Sequence, residues 1–342
     1  MGSVKDIVIL AAPTKEFSGQ GRFIFSDRYS IFDWGEMPDH IPQKGAALCI
    51  TAAYFFEKLE ENGIPTHYLG IVENGELKPL SKLSKPVNIL ETKLYRVLQP
   101  KLTHKQTYDY GIYKQEDKNY LIPLEIIYRN SLPRGSSVFK RLKEGKIHLK
   151  DLGLEEIPEE GVELNHPYLD ASTKLEASDR YLSWQEARQI SQLSDNKIGE
   201  INAITLRINQ IISSKVQEIG LKNEDGKFEF ALDEKQNIVL VDVLGTLDEC
   251  RFTYQGMPVS KEIARLYYRK SVWYQKILRA KEENFANWKK NITINPEPLP
   301  ERLKILISNV YCAFTNEITG KEWFNGIPPL RDILEEIQQF IN

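Results

Sequence analysis

The sequence predicts an α+β fold in two parts, built mostly from antiparallel strands. Three observations carry this. Residues from about 20 to 130 alternate β-branched and aromatic runs with turn formers. An isoleucine stripe at helical spacing runs from Ile198 to Ile219. From about residue 260 onward the apolar spacing is helical. The parting is expected near residue 120, with 1–120 as a β-rich part and 121–342 as an α/β part ending in helices.

The elements follow in order. "DIVILAAP" and "GRFIFSD" read as strands on either side of a "KEFSGQG" turn. Lys44 to Asn62 reads as a helix stopped by Gly63. "THYLGIVENGELKPL" reads as a hairpin with Asn74-Gly75 at its tip, because both central residues of a type I′ turn need positive φ. "ETKLYRVLQP" and "LIPLEIIYRN" read as further strands. Residues 143 to 180 are polar, Glu-rich and poor in periodic apolar positions, so a long loop region is expected there. Ser183 and Glu186 form a capping box for a short helix. Ser194 or Asp195 opens the isoleucine-striped helix and Gly220 ends it. "GKFEFAL" and "NIVLVDVL" read as a strand pair. Helices are expected at about 260–289, 300–317 and 329–341.

The 342 residues are 41% hydrophobic and 27% charged, with a formal net charge of −3. That is an ordinary globular composition without the basic excess of a nucleic-acid protein, while small anionic ligands remain open. Three distant cysteines, Cys49, Cys250 and Cys312, favour neither a disulfide framework nor a zinc site and point to a reducing cytoplasm. The first apolar run is short and follows Asp6, so it reads as a strand rather than a signal peptide. Met1-Gly2-Ser3 matches a myristoylation pattern only loosely, and no apolar run reaches membrane-spanning length.

No Walker A motif is present. Three stretches carry candidate chemistry. Gly19-Gln20-Gly21-Arg22 lies between the first two strands, where backbone N–H groups of a glycine turn can approach a phosphate; a plain hairpin turn is the alternative. Glu125, Ile127 and Arg129 share one strand face, and Arg134-Gly135-Ser136-Ser137 follows. A buried arginine needs an anion, so these residues read either as a phosphomonoester cradle or as an internal Arg–Glu pair beside a polar turn. Asp225, Lys227 and Glu229 share another face, and Asp242 interrupts the apolar "NIVLVDVL". A carboxylate there is costly unless it meets a cation, so Glu229 and Asp242 are candidate Mg²⁺ ligands, against a solvated hairpin face. The five histidines are scattered and show no metal spacing.

Taken in order, these blocks resemble the SAICAR synthase family of purine biosynthesis. Its glycine turn is matched by Gly19-Gln20-Gly21-Arg22, and its "Thr-Asp-Arg-x-Ser-Ala-Phe-Asp" block by Ser26-Asp27-Arg28-Tyr29-Ser30-Ile31-Phe32-Asp33. Ile41-Pro42-Gln43-Lys44-Gly45 matches its helix opening, and Pro123-Leu124-Glu125 through Arg129-Asn130 with Gly135-Ser136 matches its "Pro-x-Glu…Arg-Asn…Gly-Ser" block. Ser172-Thr173-Lys174-Leu175-Glu176 with Asp179, the strand Asp225 to Phe230, the block Asp242 to Phe252 and the helical Arg269 complete the series. The chain departs from the pattern at Gln20, Val243 and Leu247, where the family has lysine, glutamate and proline.

The resemblance implies an N-terminal antiparallel sheet distantly like a kinase small lobe, a larger α/β part, and ATP bound between them. It implies a ligase that joins CAIR, a carboxylated imidazole ribotide, to L-aspartate with ATP and Mg²⁺, giving SAICAR, ADP and phosphate. Gly19, Gln20, Gly21, Arg22 and Lys44 would contact ATP, and Glu229 and Asp242 would hold Mg²⁺. Arg129, Ser136, Arg251 and Arg269 would grip CAIR, with Asp33 and Lys174 lining the cleft. Asp225, Lys227 and Arg251 would stand at the chemistry. No nucleic acid or membrane is implied, and a homo-oligomer stays open. Two alternatives fit the departures: another ATP-dependent phosphotransferase on a kinase-like fold, or a non-catalytic nucleotide-binding homologue.

Overall fold

The structure is a computed structural model describing residues 4–104, 107–259, 261–283 and 288–341. Its first part is a five-stranded antiparallel sheet in the order β1-β2-β5-β3-β4. The strands are β1 (Lys5–Ala11), β2 (Gly19–Phe25), β3 (Tyr68–Glu73), β4 (Glu76–Lys78) and β5 (Ile89–Leu94), with α1 (Lys44–Glu61) between β2 and β3. The β3–β4 hairpin turns at Asn74 and Gly75, whose φ values are 53° and 86°, as the Asn-Gly pair predicts. α1 is buried on nearly all sides because the sheet covers one flank and α7 (Glu301–Thr319) the other; the Thr51 and Thr315 hydroxyls bond across that contact at 3.0 Å.

A two-stranded ribbon, β6 (Lys101–Leu102) and β7 (Tyr108–Asp109), leads to a seven-stranded sheet. Its long members are β8 (Tyr120–Leu132), β9 (Val162–Thr173) and β11 (Lys222–Leu232). β10 (Tyr181–Leu182) closes one edge; β12 (Ile238–Val241), β13 (Cys250–Tyr254) and β14 (Met257–Val259) close the other. The helices are α2 (Ser137–Lys143), α3 (Trp184–Ser191), α4 (Asp195–Glu218), α5 (Glu262–Arg269), α6 (Val272–Glu283) and α8 (Leu330–Ile341), beside α1 and α7. Ser183 and Glu186 make the expected capping box, and Ser194 caps α4.

Three expectations are corrected. The supposed loop region of 143–180 contains β9, a full-length strand beside β8. Its inward positions include Ser172, which lines one cleft, and Asp170, which lines a neighbouring one, so no apolar alternation marks it. β13 and β14 turn at Gln255-Gly256, a hairpin not foreseen. The helix expected from 260 to 289 is two helices, α5 and α6, with residues 260 and 284–287 outside the described ones.

The feature that positions the site is a split along the edge of β11. β12 pairs with its C-terminal end, from Glu229↔Val241 to Leu232↔Ile238. β13 pairs with its N-terminal end, up to Gly226↔Cys250. Residues 242–249 leave the sheet between the two pairings and arch beside Lys227. The first part reaches the second at β12, where the Leu240 N–H donates to Pro65 O and the His67 N–H to Leu240 O, each at 3.0 Å.

Candidate active site

Strand alternation and register assemble one polar face on the large sheet. Arg129 pairs with Asp225, Ile127 with Lys227 and Glu125 with Glu229; on the other side Glu125 faces Ser172. The two faces read from sequence are therefore one surface. It forms the wall of a cleft of about 290 Å³, closed by Leu247, Asp248, Glu249, Arg251, Lys261 and Arg265.

One end of this cleft is cationic. Arg129 is only 2% exposed and donates to Asp225 Oδ2 (3.3 Å), Ser137 Oγ (3.3 Å) and Tyr181 Oη (3.2 Å), with Asp170 at 3.6 Å. Arg251 Nε donates to Asp225 Oδ1 at 2.7 Å, and its second nitrogen reaches Oδ2. Arg141 bonds both Asp170 oxygens and stacks 4.2 Å from the Tyr181 ring centre. Three guanidiniums thus share two carboxylates, an excess of one positive charge at this end. Lys261, whose pKa burial lowers, makes no ion pair with another described residue, and the Nε of Arg129 and of Arg265 are buried without a partner. An anion fits this end.

A second, mostly apolar cleft of about 320 Å³ opens between the two sheets. Ile7, Phe23, Leu94, Tyr95, Val97 and Leu121 line it, and Lys5, Lys174, Glu229 and Asp242 form its charged floor. Lys174 joins the clefts, donating to Glu229 Oε1 at 2.5 Å and to Glu125 Oε1 at 3.3 Å; Lys227 donates to the same Glu125 oxygen at 2.7 Å. Burial works against the Lys174 ammonium, but the Glu229 and Glu125 carboxylates raise its pKa. Burial and the neighbouring Asp242 push the Glu229 carboxyl up, and Asp242 is held low, against its own burial, by Lys5 and Lys174. Two carboxyl groups in hydrogen-bond contact with their acidities driven apart make a place for a cation. Among the described residues no group of three or more His, Cys, Asp or Glu gathers, so a metal here has two protein carboxylates and needs ligand oxygens as well. Asp242 itself has φ 62°, and its carbonyl accepts from His67 Nε2 at 3.2 Å. Burial keeps that imidazole neutral, its pKa lowered to about 4.

Several residues expected at the site lie elsewhere. Gly19 and Gly21 are within β2, not in the turn before it, and serve close packing. A Cβ on Gly19 would sit 2.4 Å from Ala11 O, and one on Gly21 2.6 Å from Leu94 Cδ1. Gln20 and Arg22 are on the strand face opposite the cleft-lining Phe23, and both donate to the buried Glu91, at 2.5 and 2.8 Å. Lys44 is fully buried, with its Nζ 2.7 Å from Asp248 Oδ2, so it faces the interior. The N-terminus of α1 is not open to a ligand anion, because the Gly45 N–H already donates to Asp27 Oδ1 at 2.9 Å. Asp33 is exposed and pairs with Lys281 of α6 at 2.8 Å, in a loop held by Phe32 on Tyr274 and Trp34 on Trp273. Ser136 caps α2, and the next hydroxyl, Ser137, meets Arg129. Arg269 pairs with Glu262 in a separate pocket, and Arg265, one helical turn earlier, reaches the cleft. Lys5, Tyr181, Lys261 and Arg265 were missed. Tyr181 and Lys261 lie in short turn-flanked segments, and Lys5 opens a strand that reads as purely structural.

Comparison with known proteins gives a consistent result. The family model described as SAICAR synthetase matches residues 14–280. A chain from Archaeoglobus fulgidus, provisionally named a phosphoribosylaminoimidazole-succinocarboxamide synthase, is 48% identical over 341 residues, covering 100% of both chains. The solved SAICAR synthase from Saccharomyces cerevisiae, complexed with SAICAR, has a TM-score of 0.62 at 23% identity and covers 94% of each chain. A solved SAICAR synthetase in complex with ADP has a TM-score of 0.57 at 22% identity, covering 87% of this chain and 99% of that one.

Proposed function

This chain belongs to the SAICAR synthetase family, and from that premise we propose how its two clefts divide the reaction. The enzyme is an ATP-dependent ligase that joins CAIR to L-aspartate, giving SAICAR, ADP and phosphate in purine biosynthesis. The observation that carries the division of labour is the Glu125–Lys174–Glu229 relay between a cationic cleft and an apolar one.

In this reading the adenine lies in the apolar cleft against Phe23, Leu94, Tyr95 and Leu121, with the triphosphate running toward Lys5 and Lys174. Glu229 and Asp242 would hold Mg²⁺, which would supply charge neutralisation for phosphoryl transfer. The CAIR phosphate sits where Arg129 and Arg251 have positive charge in excess, with Ser137 beside them. That leaves the CAIR carboxylate near Lys227 and Lys174, at the meeting point of the clefts. A carboxylate oxygen attacks the γ-phosphorus and ADP leaves. The aspartate amine then attacks the acyl phosphate carbon, loses a proton and expels phosphate. Lys174 and Lys227 screen the approach of two anions, which water alone does poorly. Asp225 fixes both arginines and so sets the register of the imidazole.

A division near residue 120 suits this reading, since the small sheet lies within residues 5–94 and the large one within 120–259. The cytoplasm is the proposed compartment; all three thiols are unpaired and buried, and no described helix is long and apolar enough to cross a membrane.

The test is ADP release measured with and without CAIR and aspartate, for the natural chain and Asp242→Asn. Release that needs both co-substrates and falls by at least a hundredfold in the variant is expected, since loss of a metal clamp removes roughly 3 kcal/mol or more of transition-state stabilisation. A variant within a few-fold of the natural chain overturns the metal assignment.

A further inference from the structure

We propose that Tyr311 is a positioning residue of the substrate cleft: its hydroxyl occupies the oxygen of Asp248 that Lys261 would otherwise take, and so leaves the Lys261 ammonium to a substrate anion. This rests on the reading of the cationic cleft as the substrate site.

Tyr311 comes from outside the family-matched stretch, which ends at residue 280. It sits on α7, whose inward face presses on the wall of the cleft. Ser308 Oγ donates to Pro42 O at 2.6 Å, just ahead of α1. Tyr311 Oη donates to Asp248 Oδ1 at 2.6 Å, and the Phe314 ring stacks on Phe252 with centres 5.6 Å apart. Residues spaced by three share one helix face, so a single face of α7 makes all of these contacts. It grips both ends of the stretch Asp248 to Phe252, which delivers Arg251 to Asp225. Tyr311 is only 2% exposed, so its hydroxyl is committed to this bond.

Asp248 faces two ammoniums and pairs with one. Its Oδ2 holds Lys44 Nζ at 2.7 Å, while Oδ1 is taken by Tyr311. Lys261 lines the same cleft and makes no ion pair with another described residue. Burial lowers the pKa of Lys261, and Asp248 is the carboxylate that opposes this most. The other cations on the cleft wall have partners: Lys227 on Glu125, Arg265 on Glu262 and Arg251 on Asp225. A neutral hydroxyl satisfies the Asp248 oxygen without cancelling its charge. Asp248 therefore keeps Lys261 charged at a distance without binding it. Removing the hydroxyl leaves a buried oxygen short of a donor, and Lys261, an ammonium on a flexible stem, is the donor left to supply it. Lys261 then pairs with Asp248 and is lost to the substrate.

The experiment is steady-state kinetics of the natural chain, Tyr311→Phe, Lys261→Met and the double variant, with CAIR and aspartate varied in turn. Lys261→Met should raise the KM for the substrate that the ammonium holds. Tyr311→Phe should raise the same KM about fivefold, with kcat changed less than KM. In the Lys261→Met background, Tyr311→Phe should change that KM by less than about twofold, because the ammonium it acts through is gone. A merely structural role for Tyr311 gives the same change in both backgrounds, and that result overturns the proposal. Should Tyr311→Phe not fold, Tyr311→Met is read against the same limits. If Lys261→Met leaves both KM values unchanged, the reading of the cleft fails and the proposal with it. If Lys261→Met raises one KM and Tyr311→Phe does not, only the role of Tyr311 fails.

Discussion

Lys44→Met separates the sequence reading of Lys44 from its place in the fold. As a nucleotide ligand, Lys44 would be dispensable for folding. In the structure it is sealed between α1, α7 and the 242–249 arch, with its Nζ on Asp248 and over the Tyr311 ring. The other Asp248 oxygen accepts from Tyr311 Oη at 2.6 Å. Burial opposes ionisation of Asp248, yet Lys44 keeps its pKa low. Methionine fills the volume and strands the carboxylate, which costs about 3–5 kcal/mol for a buried pair broken on one side. For 342 residues the unfolding entropy is about 0.7 kcal/mol per kelvin, so the midpoint should fall by roughly 4–7 °C. Adding Asp248→Asn removes the stranded charge while keeping an acceptor for Tyr311, and the double variant should regain at least half of the loss. Differential scanning calorimetry of the four proteins of this cycle gives the coupling directly. A Lys44→Met protein with an unchanged midpoint and a raised KM for ATP would refute the interior pairing and reinstate the nucleotide role.

Three further outcomes are expected. Arg129→Met should raise the KM for CAIR by about 10- to 150-fold, from the loss of about 1.5–3 kcal/mol of charge-assisted bonding. Its unfolding midpoint should change little, because Arg251 and Arg141 still satisfy Asp225 and Asp170; unaltered CAIR kinetics would sink the phosphate assignment. Stability should fall as pH drops from 6.5 to about 4, by up to about 3 kcal/mol from His67 alone. In that window the unfolded imidazole takes up a proton that the buried one refuses, so His67→Gln should flatten the pH dependence of urea midpoints. Gly245→Ala, at φ 67° with a new Cβ only 2.2 Å from Phe55 Cδ2, should cost roughly 2–4 kcal/mol and distort the arch over the substrate cleft. A fully stable, fully active Gly245→Ala enzyme, by melting and turnover, would contradict that packing.

The sequence by itself determined the elements whose signals are local. The Asn74-Gly75 turn, the Ser183–Glu186 capping box and the stripe of α4 follow from backbone and side-chain preferences within a few residues. Alternation also determined that Glu125 shares a face with Arg129, and Asp225 with Lys227 and Glu229. Ordered motifs then pointed to the family. What only the tertiary structure decided is which charge meets which. Arg22, Lys44 and Arg269 look like ligand-binding cations in one dimension, but Arg22 and Lys44 are neutralised by carboxylates far away in sequence, Glu91 and Asp248, and Arg269 pairs with Glu262 on its own helix. Lys5 looks structural and reaches Asp242 across 237 positions. β9 was hidden for the same reason, since its polar inward residues are balanced by Arg141 and Glu125 on other elements. A charged side chain carries no local mark of its partner, because burial makes the pairing obligatory without fixing the sequence distance at which it occurs.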